Sequence, residues 1–549
     1  MSSKLTTGDN PILKMDYPDP DVIFVDGIYY MISTTMHFMP GGQILRSFDL
    51  IHWEHAANVF DLLDSTEGQT LTGEKHIYGK GMWAASLRYH EGTFYVVFVC
   101  NDTQKTYLYR ADKIEGPWRK SEIEGFYHDC SLLFDDDGRV FVVYGNRQIR
   151  LTELDEEMTG PKEGGLQRLL LKDSEETSLG YEGSHLYKIN GRYYLFLIHS
   201  LPGRWRRVEA CFSADSLEDD FIGGDILNDD MGFRDSGIAQ GGIVRGVDGT
   251  WNAVLFQDSG AIGRIPVLVP VTWKENEPVL GMEGKVPNRV TLPVSSSCPE
   301  NYAYAPLSDS DDFRYGFGWG EEVKVTEKPY REKYSTFGFR DIWQFNHEPK
   351  LDLVYRDEEA GQLRIRTDKL SLNLNHARNT LTQRMVYPFC VAEVEVDAKE
   401  LNDGDCAGLC VLQGDYCWVG VEKRGEELYA VMYSHISREG TWELSSVKGD
   451  AVECVPLKDS EHKVRVRIEA DLEGEKDEAD CKLFADGEWK SIGTAHKLTF
   501  RLDHFTGARF GLFVYSRKVT GGQAGFSDFR FITNRMMLID RRCFYEDRI

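Results

Sequence analysis

The sequence predicts an all-β protein, a five-bladed β-propeller followed by a concanavalin-like (jelly-roll) β-sandwich, on three observations. A short pattern returns five times in the first half of the chain: an apolar run, a turn glycine after Asp, Asn or Glu, then an aromatic-rich apolar run. The copies are DVIFVDGIYYMIS, SLRYHEGTFYVVF, LLFDDDGRVFVVY, HLYKINGRYYLFL and GIVRGVDGTWNAVLF, with turn glycines Gly27, Gly92, Gly138, Gly191 and Gly249. Each reads as a hairpin whose two-residue turn needs the positive φ that glycine supplies. Spacings of 46 to 65 residues leave room for about four strands per copy, the period of a propeller blade. The second observation lies beyond Phe337, where period-two runs appear without the blade turn: QLRIRTD, FCVAEVEVDA, AGLCVLQ, YCWVGVEK, LYAVMYS, HKVRVRIEAD, CKLFAD and ARFGLFVYS. Such runs predict antiparallel strands with one wet face, as in a two-sheet sandwich. The third is that no convincing long helical pattern occurs anywhere.

Other segments fill in the blades. SFDLIHWEH (47–55), RADKIEGPWRKS (110–121) and FSADSLEDDF (212–221) read as outer-strand turns, and VLVPVTW (267–273) as a further strand. Residues 294–335, rich in Ser, Asp, Pro and charge, read as a linker. The domains are expected at 1–310, the propeller, and 311–549, linker plus sandwich.

Counting back eight or nine residues from each turn glycine gives Asp19, Trp83, Asp129, Glu182 and Gln240. If the strands they begin are innermost, these five side chains ring one central pocket, and three of them are carboxylates. Converging acids push one another's pKa values apart. Glycoside hydrolysis needs that outcome, one protonated carboxyl and one ionised carboxylate. The longer Glu182 suits the acid, and Asp19, between Pro18 and Pro20, the rigid base. Asp16 and Asp21 compete with Asp19, since strand alternation lets only one of Asp19 and Asp21 face the axis.

Composition narrows the function classes. A net charge of −26 disfavours nucleic acid, anionic lipid and polyanionic sugars as partners, and leaves uncharged oligosaccharides open. The 11 cysteines show no C-x-x-C and no zinc-type spacing, so they read as reduced, buried small hydrophobes. No secretory leader or 18-residue apolar run is present, and the chain reads as cytoplasmic, with no membrane partner. No G-x-S-x-G elbow supports a serine hydrolase.

NPILKMDYPDPDVI, GMWAASLRY, HDCSLLFDDDG, YEGSHLYK, AQGGIV and GRIPVLVPVTW resemble the successive signatures of glycoside hydrolase family 43. ARNTLTQR with GDCAGLCVLQ resembles the sandwich attached to β-xylosidases of that family. The resemblance implies an inverting, exo-acting glycosidase of the β-xylosidase / α-L-arabinofuranosidase type. It makes Asp19 the general base, Glu182 the general acid, and Asp129 the residue that tunes and orients the acid. It adds Trp83, Phe38, Arg264, Gln240 and Phe505 as substrate-binding residues: Trp83 and Phe38 as sugar walls, Arg264 at the pocket floor, Phe505 reaching over the mouth from the sandwich. It implies no metal in catalysis. A structural calcium on the propeller axis is compatible with it, although Gln240 stands where many relatives have a histidine. His37 and His128 are expected as hydrogen-bond partners of the carboxylates, and the RWRR cluster (204–207) as a solvated loop paired with acids. Homo-oligomerisation is left open. The competing readings are a non-catalytic glycan-binding propeller and a retaining fructan-processing propeller.

Overall fold

The computed structural model describes residues 4–173, 177–314, 328–436, 443–458 and 460–535. The first half forms five four-stranded antiparallel sheets, each built from consecutive strands. Blade 1 comprises Asp21–Val25, Ile28–Ile32, Gly41–Ser47 and Glu54–Phe60; blade 2, Ser86–His90, Thr93–Cys100, Lys105–Ala111 and Arg119–Ile123. Blade 3 runs through Ser131–Phe134, Val140–Tyr144, Gln148–Leu154 and Gln167–Lys172, and blade 4 through Glu182–Ile189, Arg192–Ser200, Arg207–Ala214 and Ile222–Leu227. Blade 5 holds Ile238–Arg245, Trp251–Asp258, Arg264–Lys274 and Glu277–Leu280. The first strands of successive blades pack in a closed ring, blade 5 against blade 1 included, so they are the innermost strands. Leu5–Asp9 pairs with Arg289–Pro293 and ties the two ends of the ring together.

The five turn glycines share one conformation, φ between 83° and 84°. In blades 1, 2 and 4 the hairpins are two-residue turns with both φ values positive, at Asp26-Gly27, Glu91-Gly92 and Asn190-Gly191. Blades 3 and 5 depart from the expectation. Phe134 pairs with Val140 and Arg245 with Trp251, leaving five-residue loops. There the glycine N–H closes a tighter turn onto Asp135 O and Gly246 O, both at 3.0 Å, before the chain returns to the ladder. The 47–55, 110–121 and 212–221 segments each span the turn between the third and fourth strands of a blade.

All eight runs beyond Phe337 are strands of a two-sheet sandwich. One sheet behaves as the period-two pattern predicts: Lys463–Asp471 alternates between buried and partly exposed residues. The other does not. Asp405–Leu412 and Arg509–Ser516 are buried at every position. Their inward residues, such as Leu409 and Leu512, join the main core, while Cys410, Trp418, Tyr433 and Phe513 form a second apolar cluster on the opposite face with Leu374 and Ala377. That face is covered along these central strands, while the edge strand Asp450–Pro456 of the same sheet stays largely exposed.

The two halves are knitted together. Phe38–Met39, inside blade 1, pairs with Gln344–Asn346 and becomes an edge strand of the sandwich sheet that contains Asp405–Leu412. Of the 294–335 linker, residues 315–327 lie outside the described residues. The part before them packs on blade 1, where Tyr304 Oη accepts the Phe48 N–H at 2.9 Å and Glu54 accepts the Ala305 N–H at 2.9 Å.

Candidate active site

Near the start of four inner strands stands a residue with positive φ: Asp19 (φ 52°) and Asp129 (47°) two residues before theirs, Gly183 (64°) and Gln240 (56°) just inside theirs. In blades 4 and 5 the ladder slips there, between Glu182 and His185 and between Ala239 and Gly241. Left-handed backbone costs a non-glycine residue roughly 1–3 kcal/mol and recurs where a side chain is aimed at a site. Gly183 also lets its neighbour close in: a Cβ there would lie 2.6 Å from the Gln240 side chain.

Asp19 is buried and held from two sides. Arg264 Nη1 donates to Oδ1 at 2.9 Å and Thr34 Oγ1 to Oδ2 at 2.7 Å. Its competitors are engaged elsewhere. Asp21 is fully buried, with Arg88 Nη1 at 2.6 Å, the Leu87 N–H at 2.8 Å and His185 Nδ1 at 3.3 Å, so it locks blades 1, 2 and 4 together. Asp16 accepts the Arg264 N–H at 2.9 Å and the Gly507 N–H at 2.8 Å, pinning the sandwich loop to the propeller.

Near enough to feel the charge of Asp19 stands a second group. His128 Nε2 lies 3.8 Å from Asp129 Oδ2 and 3.7 Å from Glu182 Oε2, and one ligand atom from each of the three falls within 4.8 Å of the others. Asn146 Nδ2 donates to Glu182 Oε2. The loop carrying Asn146 is stapled to both blades, by Gly145 N–H to His128 O and Arg147 N–H to Tyr181 O.

Aromatic rings close the ring of acids. Trp83 stacks on Phe505 with centroids 5.8 Å apart and planes 7° from parallel, and lies 5.3 Å from the His128 ring. Phe505 and Phe256 sandwich the Arg264 guanidinium at 4.3 and 4.6 Å, a cation–π arrangement that fixes the cation over the floor. Phe505 comes from the sandwich, on a loop docked by its backbone: Ala508 N–H donates to Ala261 O at 2.8 Å. A Cβ on Gly263 would meet Asp16 at 2.3 Å and Gly507 at 2.8 Å, so the close approach requires glycine.

Arg264 and Arg207 share Asp258, at 3.3 and 3.0 Å. Gln240 is seated by its N–H on Glu209 Oε2 at 2.7 Å, and burial pushes the Glu209 carboxyl well above its ordinary pKa. Of these residues Asn146, Thr34, Asp258 and Glu209 carry no signal in the sequence except Asp258, which falls directly opposite Arg264 in the blade 5 ladder.

Two expectations fail. Phe38 does not wall the pocket: its ring is buried in the interdomain seam with the Arg509 guanidinium 3.4 Å above it, because its strand is recruited into the sandwich sheet. Among the described residues His37 reaches no carboxylate; it packs on Tyr78 at 4.7 Å and His347 at 5.0 Å, and burial holds its pKa well below the usual value.

Residues 8–216 match the family model for glycosyl hydrolases family 43, and residues 331–532 match the β-xylosidase C-terminal concanavalin A-like domain. The chain belongs to glycoside hydrolase family 43. A β-xylosidase of Formosa agariphila is 26% identical over 75% of this chain and 74% of its own length. A non-reducing end α-L-arabinofuranosidase of Bacteroides ovatus is 25% identical over 76% and 77%. The solved structure of a bifunctional GH43-CE protein of Bacteroides eggerthii superposes with a TM-score of 0.83 at 36% identity, covering 97% of this chain, which spans 64% of that longer protein.

In this family 43 chain the proton inventory of the pocket is unequal. Burial pushes the Asp129 carboxyl up to about 7, aided by the charges of Glu182 and Asp19 and opposed by His128. Burial also acts to raise Glu182, but the contact with His128 and the charges of His128, Arg207 and Arg264 outweigh it and hold Glu182 below its usual value. His128 itself, despite burial, is raised to about 9 by Asp129, Glu182 and Asp19. The two neighbouring carboxyls are thus pushed in opposite directions, Asp129 up and Glu182 down, around the same imidazole. Interacting carboxyls titrate as a pair. The pair keeps its shared proton below about pH 7 and loses it above. Activity that needs this proton falls on the alkaline side of that value. Asp129→Asn removes one of the two coupled carboxyls, so the proton is left to Glu182 alone, whose pKa His128 keeps low, and the alkaline limb of the kcat–pH profile moves to lower pH. A limb left in place in Asp129→Asn would detach Asp129 from the titration.

Proposed function

We propose that the protein is an inverting, exo-acting glycoside hydrolase that releases terminal xylose, arabinofuranose or both from xylan- or arabinoxylan-derived oligosaccharides. The observation that carries this reading is the division of the acids by their partners: Asp19 is hydrogen-bonded by Arg264 and Thr34, while Asp129 and Glu182 gather at His128. An inverting mechanism needs a base for water on one face of the sugar and an acid on the other. Asp19 takes the proton of the attacking water. Glu182 protonates the leaving oxygen. A glycosidic oxygen only accepts hydrogen bonds, so a bound substrate favours the arrangement in which the shared proton lies on Glu182, with Asp129 as its neighbouring store. Phe505, stacked on Trp83 and Arg264, narrows the mouth and suits removal of one terminal sugar. The named activities of the relatives supply the sugar class.

No metal has a role in this reading. A calcium ion wants six to eight oxygen ligands, and the buried carboxylate of Asp21, where blades 1, 2 and 4 meet, is already paired with Arg88 and bordered by His185. The residues there do not fit the ion.

The test is hydrolysis of 4-nitrophenyl β-D-xylopyranoside and 4-nitrophenyl α-L-arabinofuranoside, followed by proton NMR of the first product. The anomer opposite to the substrate's is expected to appear first. First release of the same anomer would replace inversion with a retaining nucleophile, as in fructan-processing propellers. Cleavage of neither glycoside would return the protein to glycan binding.

A further inference from the structure

The RWRR cluster has a use beyond solvation. Its basic residues are paired as expected: Arg204 with Asp235, Arg206 with Asp230 at 3.0 Å and with Asp235 at 2.6 Å. The tryptophan among them is not covered. Trp205 is 46% exposed, although Arg207 is buried and stacks its guanidinium 4.2 Å from the indole centroid. One face of the ring is thus backed by a fixed cation while the rest looks outward. Arg207 is in turn fixed by Asp258, and its Nη1 has no hydrogen-bond partner among the described residues.

The position of this platform follows from the blade 4 ladder. Glu182 pairs with Ile198, and two residues further along the same strand Ser200 pairs with Arg207. Residues 201–206 therefore cap blade 4 at the end where Glu182 stands. The charge of Arg207 reaches Glu182 and helps keep it ionised. A leaving sugar departs from the side of the acid, and residues 201–206, Trp205 among them, cap blade 4 at that end.

We propose that Trp205, braced by Arg207, is the platform for the leaving-group sugar, stacking the pyranose ring of an uncharged oligosaccharide next to the bond that is cut. This rests on the glycosidase reading above and adds a second sugar-binding position to it. An aromatic face supplies apolar area and fixed orientation to a ring at little entropic cost. Backing the indole with a salt-bridged arginine keeps it from turning.

The test compares substrates with and without a leaving sugar. Whichever nitrophenyl glycoside the wild type cleaves selects the pair: xylotriose with methyl β-D-xylopyranoside, or an arabinosylated xylotriose with methyl α-L-arabinofuranoside. Trp205→Ala is expected to lower the ratio of the two kcat/KM values about tenfold, mainly through KM for the oligosaccharide, the scale one ring face can supply. Trp205→Phe should recover most of that ratio. An unchanged ratio in Trp205→Ala, or an equal fall on both substrates, would overturn the platform and leave the glycosidase reading standing. A wild type that cleaves neither substrate would bring down both.

Discussion

Replacing Asp19 is expected to reduce kcat by about 10³- to 10⁴-fold, the upper part of what a positioned general base contributes. Asn is the sharper replacement, because the backbone at this position is left-handed (φ 52°) and Asn tolerates that conformation better than Ala. Asp19→Asn keeps its oxygen as the acceptor for Arg264 while its amide N–H donates to the Thr34 hydroxyl, and Arg264 retains Asp258 and its two aromatic faces. The circular dichroism spectrum and melting temperature should therefore stay close to wild type while turnover collapses. Asp19→Ala should lose as much activity and somewhat more stability, about 1–2 kcal/mol for alanine in the left-handed region. Wild-type kcat in a folded Asp19→Asn would remove Asp19 from the base role. Asp21 would not inherit it, since its carboxylate is fully buried against Arg88 and the Leu87 N–H.

How far the sequence anticipated this geometry depended on whether the controlling interaction was local. The turn glycines were legible because positive φ is a one-residue property, and counting back from them placed Asp19, Asp129, Glu182 and Gln240 on four inner strands of a closed ring. The choice between Asp19 and Asp21 was not legible. Alternation says that the two differ in direction, but only the tertiary positions of Arg88, His185 and Arg264 say which one turns toward the pocket. Phe38 misled for a related reason: a two-residue strand can join whichever edge it meets, and here the nearest edge belongs to the other domain. Asn146 and Thr34 were invisible, since nothing near them in sequence marks a loop that will be stapled against a neighbouring blade or a side chain that will meet a carboxylate fifteen residues away. Phe505 was reached only through family resemblance. Its contact with Trp83 spans both domains, and period-two patterning carries no information about which sandwich loop docks on the propeller.

Removing Glu182 should produce a loss that depends on the leaving group. A sugar alkoxide is a poor leaving group and must be protonated as it departs, whereas nitrophenolate leaves without help. Glu182→Ala is expected to slow hydrolysis of xylobiose or an arabinosylated xylo-oligosaccharide by about 10³-fold or more, and the matching nitrophenyl glycoside by roughly tenfold. The surroundings of Glu182 sharpen the comparison. Burial pushes the Asp129 carboxyl up to about 7, while the contact with His128 holds Glu182 below its usual value. Two carboxyls therefore compete for the acid's role, and leaving-group dependence separates them. If Glu182 delivers the proton, Glu182→Ala shows the steep dependence and Asp129→Asn shows mainly the shifted alkaline limb. If Asp129 delivers it directly, the steep dependence moves to Asp129→Asn, and Glu182→Ala loses similar factors on both substrates, as removal of a binding residue would. The second pattern would also reassign His128, from a cation that restrains Glu182 to one that opposes the protonation of Asp129.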